Sequence, residues 1–193
     1  AHEIKNPLTP IQLSAERMQM KFADKLSGAD ADMLDRSTQT IINQVQAMKR
    51  MVNEFSDYAR MPAPELAPLD LNALIGEVLG LYETSSAQIV ADLAPDLPAV
   101  WGDASQLRQI IHNLLRNAED AQEGLPQARI EIKTRELDDM GELIVVDHGP
   151  GFPPEIIARV FEPYVTTKAR GTGLGLAVVQ SVVRAHQGEV SVA

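Results

Sequence analysis

Apolar residues recur along the first third of the chain at alternating intervals of four and three. Ile4, Leu8, Ile11, Ala15, Met18 and Phe22 form one stripe, and Leu34, Thr38, Ile41, Val45, Met48, Val52, Phe55 and Ala59 form a second. That spacing keeps one face of an α-helix apolar over many turns. Between the stripes, Ser27-Gly28-Ala29-Asp30 supplies a turn and a helix cap. The pattern predicts two antiparallel helices over residues 1–60. A lone hairpin buries one stripe per helix, so self-association into a dimeric four-helix bundle is its natural completion. Packing of the hairpin on a downstream domain is the alternative.

The pattern changes at residue 61. Met61-Pro62-Ala63-Pro64-Glu65-Leu66-Ala67-Pro68 has three prolines in eight positions, the composition of a stiff linker, assigned here to residues 61–69. Beyond it the periods alternate. Helices are expected over 71–82, 104–122 and 174–186, and strands over 88–93, 99–101, 129–135 and 142–146, with a further strand starting at 189–192. Residues 70–193 therefore read as an α/β sandwich, with helices on one face of a mixed sheet. The fold class is α+β in two domains.

Charge follows the same division. Residues 1–60 hold 8 Lys+Arg and 8 Asp+Glu, so the net charge of −10 lies wholly in residues 61–193. A net-acidic body carries no nucleic-acid footprint. There is no cysteine, hence neither a disulfide framework nor a thiol metal site, which fits a reducing compartment. No run approaches the ~20 apolar residues of a membrane span, and no direct membrane contact is expected of this stretch. The first residue already sits inside a helical pattern, and the chain is expected to be a fragment whose upstream part is missing.

Two groups of residues carry candidate chemistry. In the first heptad His2, Glu3 and Asn6 lie off the apolar seam, with His2 and Asn6 four residues apart on one helical face. A neutral imidazole can attack phosphorus, a neighbouring carboxylate such as Glu3 can stabilise the imidazolium that forms, and the Asn6 amide can position a water or a phosphoryl oxygen. Pro7 removes the N–H that would bond the Glu3 carbonyl, and Pro10 does the same to Asn6, so a bend is expected beside His2. A helix starting near residue 6, with Pro7 in its first turn, is the other reading.

The second group is spread over residues 113–175. Asn113 and Asn117 lie at i, i+4 on the 104–122 helix and offer amide oxygens to a hard cation such as Mg²⁺; two solvated asparagines would look the same. Asp147-His148-Gly149-Pro150-Gly151 ends an apolar strand, so that backbone can approach a flat ligand and Asp147 can accept from an adenine amino group; a plain turn is the alternative. Gly171-Thr172-Gly173-Leu174-Gly175 opens the last helix and can present N–H groups to phosphate. Lys168 and Arg170, in a flap-like stretch over 161–170, are possible phosphate partners or simply solvated charges. His112 and His186 read as structural or solvated, and Trp101 as a core or edge anchor.

The run HEIKNPLTPIQLSAERM resembles the phosphoacceptor box of dimeric two-component sensor histidine kinases, most closely the nitrogen-regulation (NtrY-type) subgroup. The resemblance implies His2 as the autophosphorylation site, Glu3 as assisting proton transfer, and Asn6 as serving phosphatase chemistry on the partner. The downstream motifs resemble the N box, glycine boxes and intervening F box of the GHKL ATP-binding fold. That implies ATP and Mg²⁺ as cofactors, Asn117 as metal ligand with Asn113 in support, and Asp147 as adenine reader. Gly149 and Gly151 would form adenine-pocket backbone, and Gly171, Thr172, Gly173, Leu174 and Gly175 would lie at the phosphates with Lys168 and Arg170. Phe161-Glu162-Pro163-Tyr164 would start the ATP lid. Asn113 stands where the hydrolysing members carry an acid, which suits a kinase that must conserve ATP. His148 departs from a common Asn, and Gln187 from the glycine usual after His186. The expected function is autophosphorylation of His2 and transfer to an aspartate on a response-regulator receiver domain, of NtrX type by the subgroup resemblance. A homodimer through residues 1–60 and a place in the cytoplasmic portion of an inner-membrane sensor are expected with it. A GHKL binding switch or scaffold, and a module acting mainly as a phosphatase, are the alternatives.

Overall fold

The computed structural model describes residues 2–193 other than Arg60, Ser86, Ala169 and Arg170, with backbone alone for residues 2–6 and Asp57. Two compact units divide the chain, Ala1–Met61 with Lys168–Thr172, and Pro62–Thr167 with Gly173–Ala193.

The first unit is a hairpin of α1 (His2–Phe22) and α2 (Ala29–Ala59). α1 runs through both Pro7 and Pro10, so the helix does not wait for residue 6. The two apolar stripes separate into two sets seven residues apart. Leu8, Ala15, Thr38 and Val45 are buried, joined by Ile42, whereas Ile11, Met18, Ile41, Met48 and Phe55 stand exposed by 36 to 53%. One hairpin thus uses half of its heptad positions. Thr38 is tolerated inside because its hydroxyl donates to the Leu34 carbonyl at 2.8 Å and to that of Asp35 at 3.1 Å. Lys49 Nζ donating to Gln12 Oε1 at 2.8 Å and Gln19 Nε2 donating to Asp35 Oδ1 at 3.0 Å tie the helices at their flanks. Within this unit the Thr172 hydroxyl donates to the Glu54 carboxylate.

The second unit contains β1 (Ala67–Leu69), α3 (Leu71–Gly80), β2 (Gln88–Leu93), β3 (Val100–Gly102), α4 (Ala104–Ala121), β4 (Arg129–Leu137), β5 (Met140–Asp147), α5 (Pro154–Ile157) and α6 (Gly175–Ala185). β2 pairs parallel with β4 and β4 antiparallel with β5, which gives the mixed sheet, while β1 and β3 form a separate antiparallel pair. Alternation along β4 sends Ile130, Ile132 and Thr134 inward, and Glu131 and Lys133 to the other face. Against them pack Leu74, Ile75 and Val78 of α3 and Ile111, Leu115 and Ala118 of α4. Asp138 and Asp139 both adopt positive φ, 50° and 62°, in the two-residue turn joining β4 to β5; Asp tolerates this conformation, which matches the strand twist. Gln122 clips α4 to β4, its Oε1 accepting from Arg129 N at 2.8 Å and its Nε2 donating to Arg129 O at 3.0 Å.

One expectation changes and one pair of alternatives is decided. Residues 189–193 form no strand; Val190 and Val192 have strand propensity, but it is realised only through a ladder, and none reaches them among the described residues. Trp101 lies in β3 opposite Pro68 and is 68% exposed, so it is an edge residue and not part of the core.

α6 ends with Gln187 at φ +61°, its N–H bonding Arg184 O at 3.0 Å and the Gly188 N–H bonding Val183 O at 2.9 Å. This is a left-handed helix end that glycine would adopt without strain. Gln187→Gly is therefore expected to stabilise the fold by about 1 kcal/mol in chemical denaturation; an unchanged or lower midpoint would show that the Gln187 side chain offsets the strain.

Candidate functional site

The burial of Ile110, Ile111, Leu115 and Ala118 fixes the rotation of α4. Asn113 and Asn117, half-buried, are left on an adjoining face that meets the start of α6. Asn113 Nδ2 donates to Gly175 O at 3.5 Å, and a Cβ on Gly175 would lie 3.4 Å from Asn117 Nδ2 and 3.7 Å from its Oδ1. Leu174, almost fully buried, anchors the start of α6, which has no side-chain cap bond. Its first N–H groups and the positive end of its dipole accordingly lie beside the two asparagines.

At the other end of α4, β5 delivers Asp147. Its Oδ1 accepts from Gly149 N at 2.8 Å, and its Oδ2 is a second carboxylate oxygen able to accept. Gly149 packs against the last turn of α4: a Cβ there would lie 2.8 Å from both Ala121 O and Asp147 Oδ1. No side chain fits without moving the carboxylate or the helix end. Gly149→Ala is expected to weaken ATP binding about tenfold and to cost about 1–3 kcal/mol of stability, read by calorimetry and thermal melting. Unchanged affinity would mean that the Asp147 turn does not contact the ligand. Gly151, at φ +70°, continues the turn.

Tyr164 and Gly173 close the base of a loop over residues 165–172. Tyr164 N donates to Gly173 O at 3.0 Å, both residues have φ of +68°, and a Cβ on Gly173 would lie 2.6 Å from the Tyr164 carbonyl carbon. A non-glycine residue at such φ stores strain of about 1–2 kcal/mol.

The structure therefore brings Asn113, Asn117, Leu174 and Gly175 together, Asp147 with Gly149, and Tyr164 with Gly173. Lys168, Gly171 and Thr172 fall in the hairpin unit. Arg170 and the side chains of His2, Glu3 and Asn6 lie outside the described residues. No cluster of three or more His, Cys, Asp or Glu suited to a metal occurs among the described residues, so a hard cation here would depend on amide oxygens, phosphate and water.

Beside Asn113, the His112 ring faces Tyr82, whose hydroxyl lies 3.2 Å from Nδ1. Burial holds the His112 imidazole below its ordinary range, with Arg108 adding to the effect. Burial likewise raises the Tyr82 phenol, reinforced by Glu119 and opposed by Arg116. His112 is thus a half-buried residue packed on Tyr82, in keeping with a structural role. His186 Nε2 accepts from Asp103 N at 3.0 Å, and the other ring nitrogen bonds Val182 O at 2.8 Å. That pairing joins the end of α6 to the start of α4, and nothing in the local sequence announces it.

A helical hairpin with a second, exposed heptad set, followed in the chain by a mixed-sheet unit with an asparagine-bearing helix against a glycine-rich helix start, defines a class. Residues 1–64 match the family model described as "His Kinase A (phospho-acceptor) domain", and residues 102–193 match "Histidine kinase-, DNA gyrase B-, and HSP90-like ATPase". The chain belongs to the sensor histidine kinases, and its second half is an ATP-binding domain of that ATPase group.

Among particular relatives, it is 41% identical over 197 residues to the nitrogen regulation protein NtrY of Azorhizobium caulinodans, covering 98% of this chain and 25% of that one. Full-length ShkA in complex with AMPPNP superposes with a TM-score of 0.68 at 27% identity, covering 95% of this chain and 39% of that one. Histidine kinase ThkA in complex with response regulator protein TrrA gives 0.67 at 25% identity, covering 97% and 53%. The chain spans about a quarter to a third of the length of the NtrY and NtrY-like relatives it matches.

Proposed function

We propose that this chain is the kinase core of a two-component sensor, which transfers the γ-phosphoryl group of ATP to His2 and then to an aspartate of a response regulator. The observation that carries the reading is the meeting of the Asn113–Asn117 face with the start of α6 at Gly175, in a chain headed by the phosphoacceptor run. Neutral His2 attacks the γ-phosphorus, the bond to the ADP oxygen breaks, and Glu3 takes up the proton released from the imidazolium. Asp147 Oδ2 orients the adenine and the α6 N–H groups hold the phosphates, with Thr172, Lys168 and Arg170 as the further phosphate partners that the motif resemblance implies. Asn117, supported by Asn113, would hold Mg²⁺, which supplies charge neutralisation on the phosphates when bound. Asn6 positions water for the opposing phosphatase reaction, hydrolysis of the aspartyl phosphate of the regulator to inorganic phosphate.

The exposed heptad set supports a dimer. Ile11, Met18, Ile41, Met48 and Phe55 repeat at seven-residue intervals, the spacing that a second hairpin would cover. A homodimer through residues 1–60 follows, and Met48→Glu with Phe55→Glu is expected to convert it to monomer in sedimentation equilibrium. A wild-type monomer at micromolar concentration would contradict this. No helix among the described residues is long and apolar enough to cross a membrane. Similarity to NtrY supports a position on the cytoplasmic side of a membrane-anchored sensor and a regulator of NtrX type.

The function is tested by incubating the chain with γ-labelled ATP with and without Mg²⁺. Label that is acid-labile, base-stable and Mg²⁺-dependent is the expected result. ATP turned over to ADP with no label on the protein would overturn the kinase reading.

A further inference from the structure

The proline-rich stretch before β1 is fastened to the ATP-binding unit at the N-terminus of α4. Asp103 divides its carboxylate between two tasks. Oδ1 caps α4, accepting from Ser105 N at 2.9 Å and Gln106 N at 3.2 Å, whereas Oδ2 accepts from the backbone N–H of Glu65 at 3.0 Å. One oxygen suffices for an N-cap, as serine caps show, so the second bond is additional to helix formation. Gln106, one turn on, is 4% exposed and donates from Nε2 to the Pro62 carbonyl at 3.0 Å. Its Oε1 is buried without a hydrogen-bond partner. A buried orphan oxygen is unfavourable, and a residue that served only packing would be apolar; the bond to Pro62 accounts for the amide. β1 pairing with β3, Ala67 opposite Gly102, extends the attachment, and His186 bonded to Asp103 N braces the same corner from α6. The Asp103 carboxyl is held below its ordinary range, with the Glu65 N–H as the largest cause.

We propose that Asp103 and Gln106 are positioning residues that clamp residues 62–66 to the ATP-binding unit and so set how much chain separates the end of α2 from the first residue fastened to that unit. The clamp is a claim about this structure; its kinetic consequence rests on the kinase function proposed above. α2 ends at Ala59, and with the clamp closed the next fastened residue is Pro62, three steps away, a reach of about 10 Å. With the clamp open, the next fastened residue is Ala67 at the start of β1, a reach of about 27 Å. Lengthening a tether that already permits contact dilutes one site about the other as roughly the −3/2 power of its length, here about fourfold. Asp103 and Gln106 touch neither reactant in this account, so they govern the phosphoryl-transfer rate and not nucleotide affinity.

The test uses two variants. Asp103→Ser keeps a capping hydroxyl but is too short to hold Glu65 as well, and Gln106→Met keeps length and burial but cannot donate to Pro62. Amide exchange at Glu65, followed by NMR, reports the clamp, calorimetry the ATP affinity, and label incorporation at saturating ATP the transfer rate. The expected outcome is a protected Glu65 amide in the wild type and loss of that protection in Asp103→Ser. Each variant alone leaves the other bond in place, so the two combined should label about fourfold more slowly with unchanged ATP affinity. Should Asp103→Ser prove too unstable to study, Gln106→Met carries the test alone with its helix cap intact: Glu65, six steps from Ala59, becomes the next fastened residue, and labelling should slow about threefold. An unprotected Glu65 amide in the wild type, or an unchanged rate in the double variant or, where Asp103→Ser is too unstable, in Gln106→Met, overturns the proposal. Wild-type protein that binds ATP yet takes up no label would instead sink the kinase reading, and the clamp would still stand or fall on the exchange of Glu65.

Discussion

His2→Gln lowers the incorporation of label from ATP by more than about 10⁴-fold, the scale on which enzymes respond to loss of a nucleophile, while ATP affinity stays at the wild-type value. Glutamine approximates the length of the imidazole but has no nitrogen lone pair able to attack phosphorus. Residue 2 belongs to the hairpin unit and not to the ATP-binding unit, so binding and chemistry are expected to separate in this variant. Rapid quenching with label counting measures the first and calorimetry the second. Residual labelling at a tenth of the wild-type rate would mean that another residue accepts the phosphoryl group.

Asp147→Asn weakens ATP binding by about 10²-fold, or about 3 kcal/mol. The replacement is isosteric and its remaining oxygen can still accept from Gly149 N, now made by Asp147 Oδ1 at 2.8 Å, so the turn survives. What is lost is the acceptor aimed at the adenine amino group, since the new Nδ2 presents a donor to a donor. A donor set against a donor costs more than the average worth of one hydrogen bond. A calorimetric affinity within threefold of wild type would show that another group reads the base. The Gly149→Ala variant gives an independent check, because it disturbs the same carboxylate from the backbone side.

The hairpin was legible because its physics is periodic: a four-three alternation admits few structures other than long helices. Its division into buried and exposed sets was not legible in one chain, because both sets are apolar and only packing separates Val45 from Met48. Most of the sheet unit followed from period and turn chemistry, with β4 and β5 extending one or two residues past the alternating core toward the Asp138–Asp139 turn. The strand expected at 189–192 failed for a physical reason, since strand propensity is a statement about neighbours as much as about side chains.

The nucleotide motifs were legible as a set and weak one by one. Two asparagines four residues apart are ordinary until Gly175 is found against them, and that meeting spans 62 positions of sequence. The pairing of Tyr164 with Gly173 was hidden for the same reason, being a backbone contact between residues with no side-chain signature for it. The proline-rich stretch looked like a linker because prolines disfavour regular structure. Its attachment depends on Asp103 and Gln106, some 40 positions away, and on two backbone groups that composition does not display.

The central claim is that the phosphoryl group ends on His2, and the chain has 4 histidines on which it could end. Tryptic cleavage after Lys5 isolates His2 from the other three. Electron-transfer mass spectrometry of peptides from protein incubated with Mg-ATP, kept at neutral to alkaline pH throughout, locates the modification. Phosphate on the residue 1–5 peptide, assigned to His2, is the predicted result. Phosphate on a peptide carrying His112, His148 or His186, or on a serine or threonine, with residues 1–5 unmodified, would contradict the account.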